Sequence, residues 1–367
     1  MSRSIIDIDL GGHQYEIIID RGLLARAGEF LAPLLPSRKI CIVSNEAVAA
    51  LYLAPLVRAL EAAGFGPVPS VILPVGEKSK NFEQLEKIVE AMLAHKMDRD
   101  ATVIALGGGV VGDIAGFAAS MIMRGIGFVQ IPTTLLAQVD SAVGGKTGIN
   151  TAAGKNLAGA FYHPRVVLVD TAVLASLPER ELKAGYAEII KYGLINNADF
   201  FAWLEENGAA VLSGDAAAQT YAIDASCRAK AAIVEEDPTE TTDIRALLNL
   251  GHSFAHGLEA LGGYDGRLLH GEAVAIGLVL AHEFSTLTGL CPPEHAARIR
   301  AHLETNGLMI DPPFPVTAKE LLAAMKGDKK NRDGKMTLIL SKGIGQSFVA
   351  RDIDEDTLGG FLTSRFG

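Results

Sequence analysis

The stretch IALGGGVVGDIAGFAAS, Ile104–Ser120, decides the fold, because a short apolar run leads through three glycines into a second apolar segment. The run Ala101–Leu106 predicts a buried strand, and the segment from about Val111 predicts a helix. Two related segments follow, MRGIGFVQIPTTLLAQVDSAVGGKTGIN at Met123–Asn150 and AAGKN at Ala152–Asn156. Glycines let backbone N–H groups approach an anion, and the lysines and hydroxyls supply charge and donors. We therefore predict a site for a nucleotide and a second anionic ligand.

Around this stretch, the first half of the chain alternates strand-like and helix-like segments. Strands are predicted at Lys39–Val43, Val71–Leu73, Ala101–Leu106, Gly127–Ile131 and Val166–Asp170, and helices at Asn45 to about Ala63, at about Phe82–His95 and from about Val111. A hairpin is expected at the start, where Ile5–Leu10 can pair with Glu16–Asp20 through a turn at Gly11-Gly12. This alternation predicts a mostly parallel sheet with helices on both faces and ligands at the carboxyl ends of its strands.

The pattern changes after Asp170. Leu177-Pro178 followed by Glu179 and Glu181 predicts a helix start, with acidic residues in its first turn. Beyond it the long periodic segments are helical, with breaks expected at Gly193, Gly214, Pro238, Gly262-Gly263 and Pro292-Pro293. We therefore expect an α/β domain over residues 1–178 and a helical domain over residues 179–367.

Composition indicates a globular protein of 367 residues, 49% of them hydrophobic and 21% charged. The net charge of −10 argues against nucleic acid or an anionic membrane as the partner. No apolar stretch approaches the roughly 20 residues of a membrane helix, and the first residues lack a signal-peptide pattern. Cys41, Cys227 and Cys291 are far apart in sequence, which disfavours a disulfide framework, so we expect a cytoplasmic protein.

A nucleotide fingerprint lies within the glycine-rich turn. Gly107-x-Gly109-x-x-Gly112 matches the dinucleotide pattern, but the acid expected about 20 residues further on is missing, and Asp140 is too far along. We therefore predict a non-standard nucleotide site. Asn45, and Gly76-Glu77 with Lys80, follow two other predicted strands and could hold the ribose. The alternative for Asn45 is that it is an ordinary turn residue with no role in nucleotide binding.

A metal site is the second hypothesis. Arg245, Asn249, His252 and His256 are spaced i, i+4, i+7 and i+11, which places them on one stripe of a predicted helix Ile244–Glu259. His270 opens another predicted helix, and Glu188 and Lys191 lie three apart on a third. One carboxylate and two imidazoles make a catalytic zinc set. One alternative to this ligand set is a metal site in which His252 and His256 form the ligand pair. Another is that the histidines bind no metal and are ordinary hydrogen-bonded residues of the core.

Taken together, these motifs resemble the 3-dehydroquinate synthase family of the sugar-phosphate cyclase superfamily. The resemblance covers nearly the whole chain and is carried by GGGVVGDIAGFAAS, RGIGFVQIPTTLLAQVDSAVGGKTGIN, GKNLAGAFYHP, LPERELKAGYAEIIKYG, RALLNLGHSFAHGLE, LLHGEAVAIG and DKK. It implies a Rossmann-like N-terminal nucleotide-binding domain and an all-helical C-terminal metal- and substrate-binding domain. It also implies a lyase that uses NAD⁺ and Zn²⁺ (or Co²⁺) and acts on 3-deoxy-D-arabino-heptulosonate 7-phosphate.

The resemblance also implies roles for individual residues. Those implied to bind the metal are Glu188, His252 and His270. Those implied to contact NAD are Asn45, Glu77, Lys80, Gly108, Gly109, Val110, Asp113, Thr133, Thr134, Asp140, Lys146, Lys155, Val173, Leu174 and Ser176. Those implied to face the substrate are Asp140, Lys146, Lys155, Asn156, Lys191, Lys230, Arg245, Asn249, His256, Lys329 and Lys330. Arg124 is implied to reach the substrate phosphate of a neighbouring subunit, which predicts a homodimer.

Two departures from the family pattern are visible. Glu235–Asp243 carries an extra residue, so the position of the family's acid near Glu240 stays open, and Ala47 stands where many members have Asn. The implied reaction oxidises one alcohol with NAD⁺, eliminates phosphate, returns the hydride, and closes the carbocycle by ring opening and an aldol step. The substrate phosphate can serve as the base for its own elimination. The rival hypotheses are another sugar-phosphate cyclase, a metal-dependent polyol or glycerol-phosphate dehydrogenase, and a non-catalytic nucleotide-binding regulator.

Overall fold

The computed structural model describes residues 3–326 and 336–367. Its strands are β1 (Ser4–Asp9), β2 (Gln14–Asp20), β3 (Ile40–Asn45), β4 (Ser70–Leu73), β5 (Thr102–Gly107), β6 (Gly127–Pro132), β7 (Lys146–Thr151), β8 (Gly154–Phe161), β9 (Val166–Asp170), β10 (Leu338–Ser341) and β11 (Ser347–Ala350). Its helices are α1 (Ala27–Leu34), α2 (Glu46–Ala62), α3 (Phe82–Ala94), α4 (Gly109–Met121), α5 (Glu179–Asn196), α6 (Ala198–Ser213), α7 (Ala216–Glu236), α8 (Asp243–Ala246), α9 (His252–Leu261), α10 (His270–Leu287), α11 (Pro293–Thr305), α12 (Ala318–Lys326) and α13 (Glu355–Phe366).

The chain forms two compact units. The first contains Met1–Leu177 and Gln219–Pro238, and the second contains Pro178–Ala218 and Thr239–Gly367. The prediction placed everything after residue 178 in a second domain, and it missed the return of Gln219–Pro238 to the first unit. Contacts that are distant in sequence hold this segment there: Cys227 Sγ lies 3.3 Å from the Gln138 carbonyl oxygen, and Glu235 accepts a hydrogen bond from the Asp9 backbone.

The first unit is built on a seven-stranded sheet in the order β1-β2-β9-β6-β5-β3-β4. β1 and β2 are antiparallel, and the other neighbouring strands are parallel, as predicted. Side chains of β3 alternate between the two faces, with Cys41 and Val43 in one apolar cluster and Ile40 and Ile42 in another. The sheet therefore has a core on both faces, and the carboxyl ends of its parallel strands meet at one edge.

A second hairpin in this unit was not predicted. β7 and β8 pair antiparallel to each other, outside the main sheet. The glycines at 148 and 159 allow the strands to approach closely, because a Cβ on Gly159 would lie 2.1 Å from the Thr147 carbonyl oxygen. The GKTGIN and GKN motifs are therefore on a hairpin.

The second unit is mainly helical, but it is not all-helical as predicted. β10 and β11 form an antiparallel hairpin within it, and all four residues of β10 are buried. The expected helix break at Gly193 is also wrong, since α5 continues to Asn196. Gly193 instead lets α6 pack closely, because a Cβ there would lie 3.0 Å from the Phe201 side chain.

The predicted helix Ile244–Glu259 is interrupted. α8 ends at Ala246, a 3-10 turn covers Leu247–Asn249, and α9 begins only at His252. Gly251, between them, has a φ of +78°, and a Cβ on it would lie 2.8 Å from the Leu278 backbone nitrogen. The close approach of this turn to α10 therefore requires glycine. Within residues 3–326 and 336–367, no helix is long and apolar enough to cross a membrane.

Candidate metal centre and nucleotide site

Three side chains that are far apart in sequence converge in the second unit. Glu188 on α5, His252 at the start of α9 and His270 at the start of α10 each offer a ligand atom within 4.8 Å of the others. The Nε2 atoms of His252 and His270 lie 3.5 and 3.4 Å from Glu188 Oε1. Ligand atoms bound at 2.0–2.1 Å to a tetrahedral zinc ion lie about 3.3 Å apart. The three side chains therefore fit a divalent metal ion.

The other ring nitrogen of each histidine also has a defined neighbour. Nδ1 of His252 lies 3.2 Å from the Leu250 carbonyl oxygen, and Nδ1 of His270 lies 3.1 Å from Glu259 Oε2. Each acceptor favours the tautomer with a proton on Nδ1, which leaves the Nε2 lone pair directed at the cluster. Because both Nε2 atoms are then available as ligands, the geometry suits metal binding better than a pair of ordinary core histidines.

The charges around the cluster keep the carboxylate ionised. Burial alone would raise the pKa of Glu188, but the Lys191 ammonium at 2.6 Å and the two imidazoles hold that pKa well below its usual value. Burial lowers the pKa of His252 to about 4. Burial also opposes the charged form of His270, yet the carboxylates of Glu259 and Glu188 raise its pKa to about 10. A metal ion must therefore displace a proton from His270.

Two glycines of α10 bring the ligand-bearing elements together. A Cβ on Gly271 would lie 1.9 Å from the Ala184 carbonyl oxygen on α5, and a Cβ on Gly277 would lie 2.1 Å from the Gly251 carbonyl oxygen. The first contact places His270 against α5, and the second places the turn before His252 against α10. The ligand set therefore depends on close backbone packing as well as on the ligands themselves.

We expect Gly277→Ala to lower the free energy of unfolding by about 1–3 kcal/mol, because the added methyl group overpacks a backbone contact. The matched control is Gly360→Ala in α13, where an added Cβ meets nothing within 4 Å. The control should stabilise the helix by roughly 0.5–1 kcal/mol. Urea unfolding of both variants, with metal removed by a chelator, measures the difference. Equal stability of the Gly277 variant and the unsubstituted protein would contradict the packing argument.

In the first unit, the predicted nucleotide residues lie at neighbouring strand ends. β5 leads into the glycine-rich turn and α4, and the Gly107 position pairs with Pro132 at the end of β6. A Cβ on Gly108 would lie 3.0 Å from the Thr134 side chain, and a Cβ on Gly109 would lie 2.9 Å from Ser141 Oγ. The turn therefore packs so closely against Thr134 and Ser141 that side chains at these two glycines would crowd them. Val110 belongs to the first turn of α4, whose N–H groups can bind phosphate.

The remaining strand ends add the other predicted nucleotide residues. Asn45 ends β3 and caps α2, with its Oδ1 accepting from the Val48 backbone, so its side chain already has the ordinary capping role. The turn Val173–Ser176 follows β9, and the Tyr52 hydroxyl donates to the Val173 carbonyl oxygen at 3.1 Å. Thr133 is buried directly after β6. The structure brings these positions to one edge of the sheet, as the pattern of strands predicted.

A polar network joins this edge to the β7–β8 hairpin. Lys80 is almost fully buried, and its ammonium contacts the Asp113 carboxylate and donates to Asn156 Oδ1. Burial raises the pKa of Asp113, although Lys80 works in the opposite direction. Glu77 lies close by, with its Oε1 atom 3.8 Å from Lys155 Nζ. Lys80, which is predicted to contact NAD, is therefore hydrogen-bonded to Asn156, which is predicted to face the substrate.

Asn150 is a member of this network that the sequence analysis missed. Its Nδ2 donates to Glu77 Oε1 at 2.7 Å, its Oδ1 accepts from the Asn156 backbone at 3.0 Å, and its own backbone donates to the Lys80 carbonyl oxygen. Asn156 has a φ of +53°, which this contact helps to hold. Its position at the end of the GKTGIN motif could have marked Asn150 as a candidate site residue. The spacing of the motif, however, does not indicate which residues it contacts.

The predicted substrate residues divide between the two units. In the first unit, Lys230 on α7 donates to the Asp140 carbonyl oxygen at 2.7 Å and to its Oδ1 at 2.9 Å. Asp140 lies in a π-helical turn, Ala137–Ser141, and Lys146 begins β7 with an exposed side chain. Lys155 and Asn156 lie on β8. These residues all belong to the same unit as the glycine-rich turn.

The second unit holds the other substrate residues near the ligand set. The Lys191 ammonium contacts Glu188, and the His256 ring lies 5.5 Å from that of His252, measured between centroids. His256 is not a member of the converging ligand group among the described residues, which argues against the alternative pair of His252 and His256. Arg245 is buried and Asn249 half-buried. Lys329 and Lys330 lie outside the described residues.

Arg124 follows α4 in an unusual backbone conformation. Both Met123 and Arg124 have positive φ angles, 50° and 67°, and the side chain of Arg124 is exposed. Gly125 comes next, and a Cβ on it would lie 3.1 Å from the Tyr162 hydroxyl. The turn therefore directs Arg124 away from the core of its own unit.

Comparison with known proteins gives matches over most of the chain. The model of the 3-dehydroquinate synthase N-terminal domain matches residues 70–184, and that of the C-terminal domain matches residues 185–331. The 3-dehydroquinate synthase of Rhodospirillum rubrum is 53% identical over 359 residues, which cover 96% of this chain and 93% of that protein. The one of Cereibacter sphaeroides is 52% identical over 362 residues, which cover 98% and 97%.

One solved structure is similar to this chain both in fold and in sequence. The 2-epi-5-epi-valiolone synthase of Streptomyces hygroscopicus subsp. jinggangensis 5008, with NAD⁺ and Zn²⁺ bound, is 30% identical, with a TM-score of 0.87. The match covers 97% of this chain and 98% of that one. The chain shares its Rossmann-like sheet and mainly helical unit, together with this level of identity, with the class of the sugar-phosphate cyclases. Within that class, the chain belongs to the 3-dehydroquinate synthase family, so the resemblance inferred from the motifs is confirmed.

Proposed function

We propose that the protein converts 3-deoxy-D-arabino-heptulosonate 7-phosphate to 3-dehydroquinate and phosphate, the cyclising step of the shikimate pathway toward chorismate and the aromatic amino acids. The observation that carries the proposal is the convergence of Glu188, His252 and His270 in a chain 53% identical to a 3-dehydroquinate synthase. Membership of the family and a complete set of candidate ligands support the same reaction.

Glu188, His252 and His270 hold the metal, Zn²⁺ or Co²⁺, and the glycine-rich turn with its neighbouring strand ends holds NAD⁺. When bound, the ion acts as a Lewis acid on the alcohol to be oxidised, and the nicotinamide accepts a hydride and later returns it. The cyclase from Streptomyces hygroscopicus, with both cofactors bound, supports this pairing. We therefore assign nucleotide binding to the first unit, and metal binding to the second.

The basic side chains hold the anionic groups of the substrate in a fixed geometry. In the second unit, Lys191 Nζ contacts the metal-ligand carboxylate Glu188 at 2.6 Å, so its charge lies at the reacting end of the site. In the first unit, Asp140 holds Lys230, and Lys80 holds Asn156, which orients these two polar groups before substrate arrives. Preorganised groups of this kind lose little freedom when the substrate binds, which favours the transition state.

We also propose that the protein is a cytoplasmic homodimer. Arg124 is exposed, and so are the apolar side chains of Met121 and Met123, which precede it in sequence. Exposed apolar side chains next to an exposed guanidinium suit an interface in which the arginine reaches an anion bound by a second copy. The cysteines at 41, 227 and 291 are free and buried, which is compatible with a reducing compartment.

Product analysis tests the proposed reaction against its rivals. The protein is incubated with NAD⁺, Zn²⁺ and the heptulosonate phosphate, and in parallel with the sugar phosphates that inosose- and valiolone-forming cyclases use. We expect dehydroquinate from the first incubation and no carbocycle from the others. Carbocycle formation only from another sugar phosphate would identify a different cyclase, and the absence of any cyclised product would reject this class of reaction.

A further inference from the structure

Glu259 is a buried acid that the proposed reaction does not use. It lies on α9, seven residues after His252, and the residue is 4% exposed. Its Oε2 lies 3.1 Å from Nδ1 of His270 on the neighbouring helix α10. A carboxylate is rarely buried without a charged or strongly hydrogen-bonding partner, so this contact calls for an explanation.

The two histidines of the ligand set are held in different ways. The His252 side chain is 9% exposed and its Nδ1 faces a backbone carbonyl, so both packing and main chain fix it. The His270 side chain is 32% exposed and belongs to the first residue of its helix, so packing constrains its ring less. A side-chain acceptor on Nδ1 can supply the orientation that packing does not.

We propose that Glu259 is a positioning residue that accepts the Nδ1 proton of His270 and directs its Nε2 lone pair at the metal. This proposal rests on the metal site assigned above. Three consequences follow from a carboxylate at this place: it selects one tautomer, it fixes the ring plane, and it makes the imidazole a better electron donor to a cation. A carboxylate–histidine–metal arrangement therefore sets metal affinity through a residue that does not touch the metal.

Charge supports the same assignment. Within this cluster, the Lys191 ammonium lies 2.6 Å from Glu188 and offsets the charge of that ligand carboxylate. Glu259 adds a second negative charge on the opposite side of His270, where it favours a divalent cation. Without that charge, the site would offer a dication two neutral imidazoles and one carboxylate already paired with a lysine.

Two substitutions separate orientation from charge. Glu259→Ala removes the acceptor, whereas Glu259→Gln keeps an oxygen acceptor of the same size but not the charge. The matched control is Glu283→Gln, which breaks the ion pair of a carboxylate on α10 with Arg300 and does not belong to the ligand group. Each full-length protein is stripped of metal, and Zn²⁺ affinity is measured by competition with a chromophoric chelator.

We expect Zn²⁺ affinity to fall about 10–100-fold in Glu259→Ala, less in Glu259→Gln, and not at all in Glu283→Gln. The visible spectrum of the Co²⁺-loaded protein should change in Glu259→Ala, because the imidazole plane is no longer fixed, and should change less in Glu259→Gln, which keeps the acceptor. Saturating Zn²⁺ should restore most of the lost turnover. If Glu259→Ala does not fold, the glutamine variant alone carries the comparison.

Unchanged Zn²⁺ affinity and an unchanged Co²⁺ spectrum in the Glu259 variants would overturn the proposal. A loss of stability without a loss of metal affinity would show a purely structural role and would overturn it as well. The metal assignment itself is tested separately with His252→Ala: if that variant loses metal while the Glu259 variants keep it, only the positioning role fails.

Discussion

His252→Ala should abolish stable metal binding and lower turnover about 1000-fold or more, since a Lewis acid supplies several kcal/mol of transition-state stabilisation. The substitution removes one of the three converging ligand atoms, and the remaining Glu188 and His270 cannot hold the ion in the same geometry. NAD⁺ affinity should stay close to that of the unsubstituted protein, because the proposed nucleotide residues belong to the first unit. Metal content by elemental analysis and NAD⁺ titration by calorimetry give the two values.

The control for this variant is His295→Ala, which removes a histidine of the second unit that does not belong to the ligand group. It should keep a full equivalent of metal and normal turnover. Full zinc occupancy with normal turnover in His252→Ala would reject the assignment. Attention would then move to His256, whose ring centroid lies 5.5 Å from that of His252.

The second large effect concerns sharing of the site between subunits. Arg124→Ala and Lys146→Ala should each be nearly inactive as pure proteins and should regain activity when they are mixed. In a mixed dimer, one site receives Lys146 from its own chain and Arg124 from the other chain, whereas the second site lacks both. At equal amounts and full exchange, half of the dimers are mixed, so about one quarter of normal activity should return.

Subunit exchange is verified first, with two affinity tags that are recovered together only from mixed dimers. Arg124→Lys is the matched variant, because it keeps the charge but loses the bidentate contact to phosphate, and it should retain part of the activity. If the mixture of the two alanine variants stays as inactive as its parents after proven exchange, Arg124 acts within its own chain. A protein that stays monomeric would reject the shared site directly.

Much of the first unit could be predicted from local sequence. Strands such as Thr102–Gly107 and Val166–Asp170 lie within a residue or two of their predicted positions, because apolar runs of this length are bounded by residues that favour turns. The β7–β8 hairpin was missed because its glycines are typical of loops. In the structure these glycines are needed because the backbones of β7 and β8 lie too close together for side chains at Gly148 and Gly159.

Tertiary contacts account for what the sequence could not predict. The 3.6-residue period runs without interruption from Arg245 to His256, so nothing local indicated a break at Gly251, whose conformation is imposed by Gly277 on another helix. The return of Gln219–Pro238 to the first unit is also encoded only in contacts with distant residues.

The candidate site was predictable only in part, for the same reason. Spacing placed Glu188, His252 and His270 on separate helices, and only the resemblance to a family joined them before the structure did. The role of Glu259 could not be predicted, because its partner His270 is on another helix. A single acidic residue on a helix does not by itself indicate a functional site. Residues that act through another residue are recognised by contact, whereas ligands can be recognised by motif.

The stoichiometry of the nucleotide tests the central claim most directly. The claim is that one bound NAD⁺ takes a hydride and returns it to the same molecule, so the cofactor is unchanged after each turnover. With NAD⁺ at a small fraction of the heptulosonate phosphate, all substrate should be consumed, with phosphate and dehydroquinate released in equal amounts and no growth of NADH absorbance. NADH that accumulates in step with an oxidised sugar, and stops when NAD⁺ is exhausted, would contradict the account and identify a dehydrogenase.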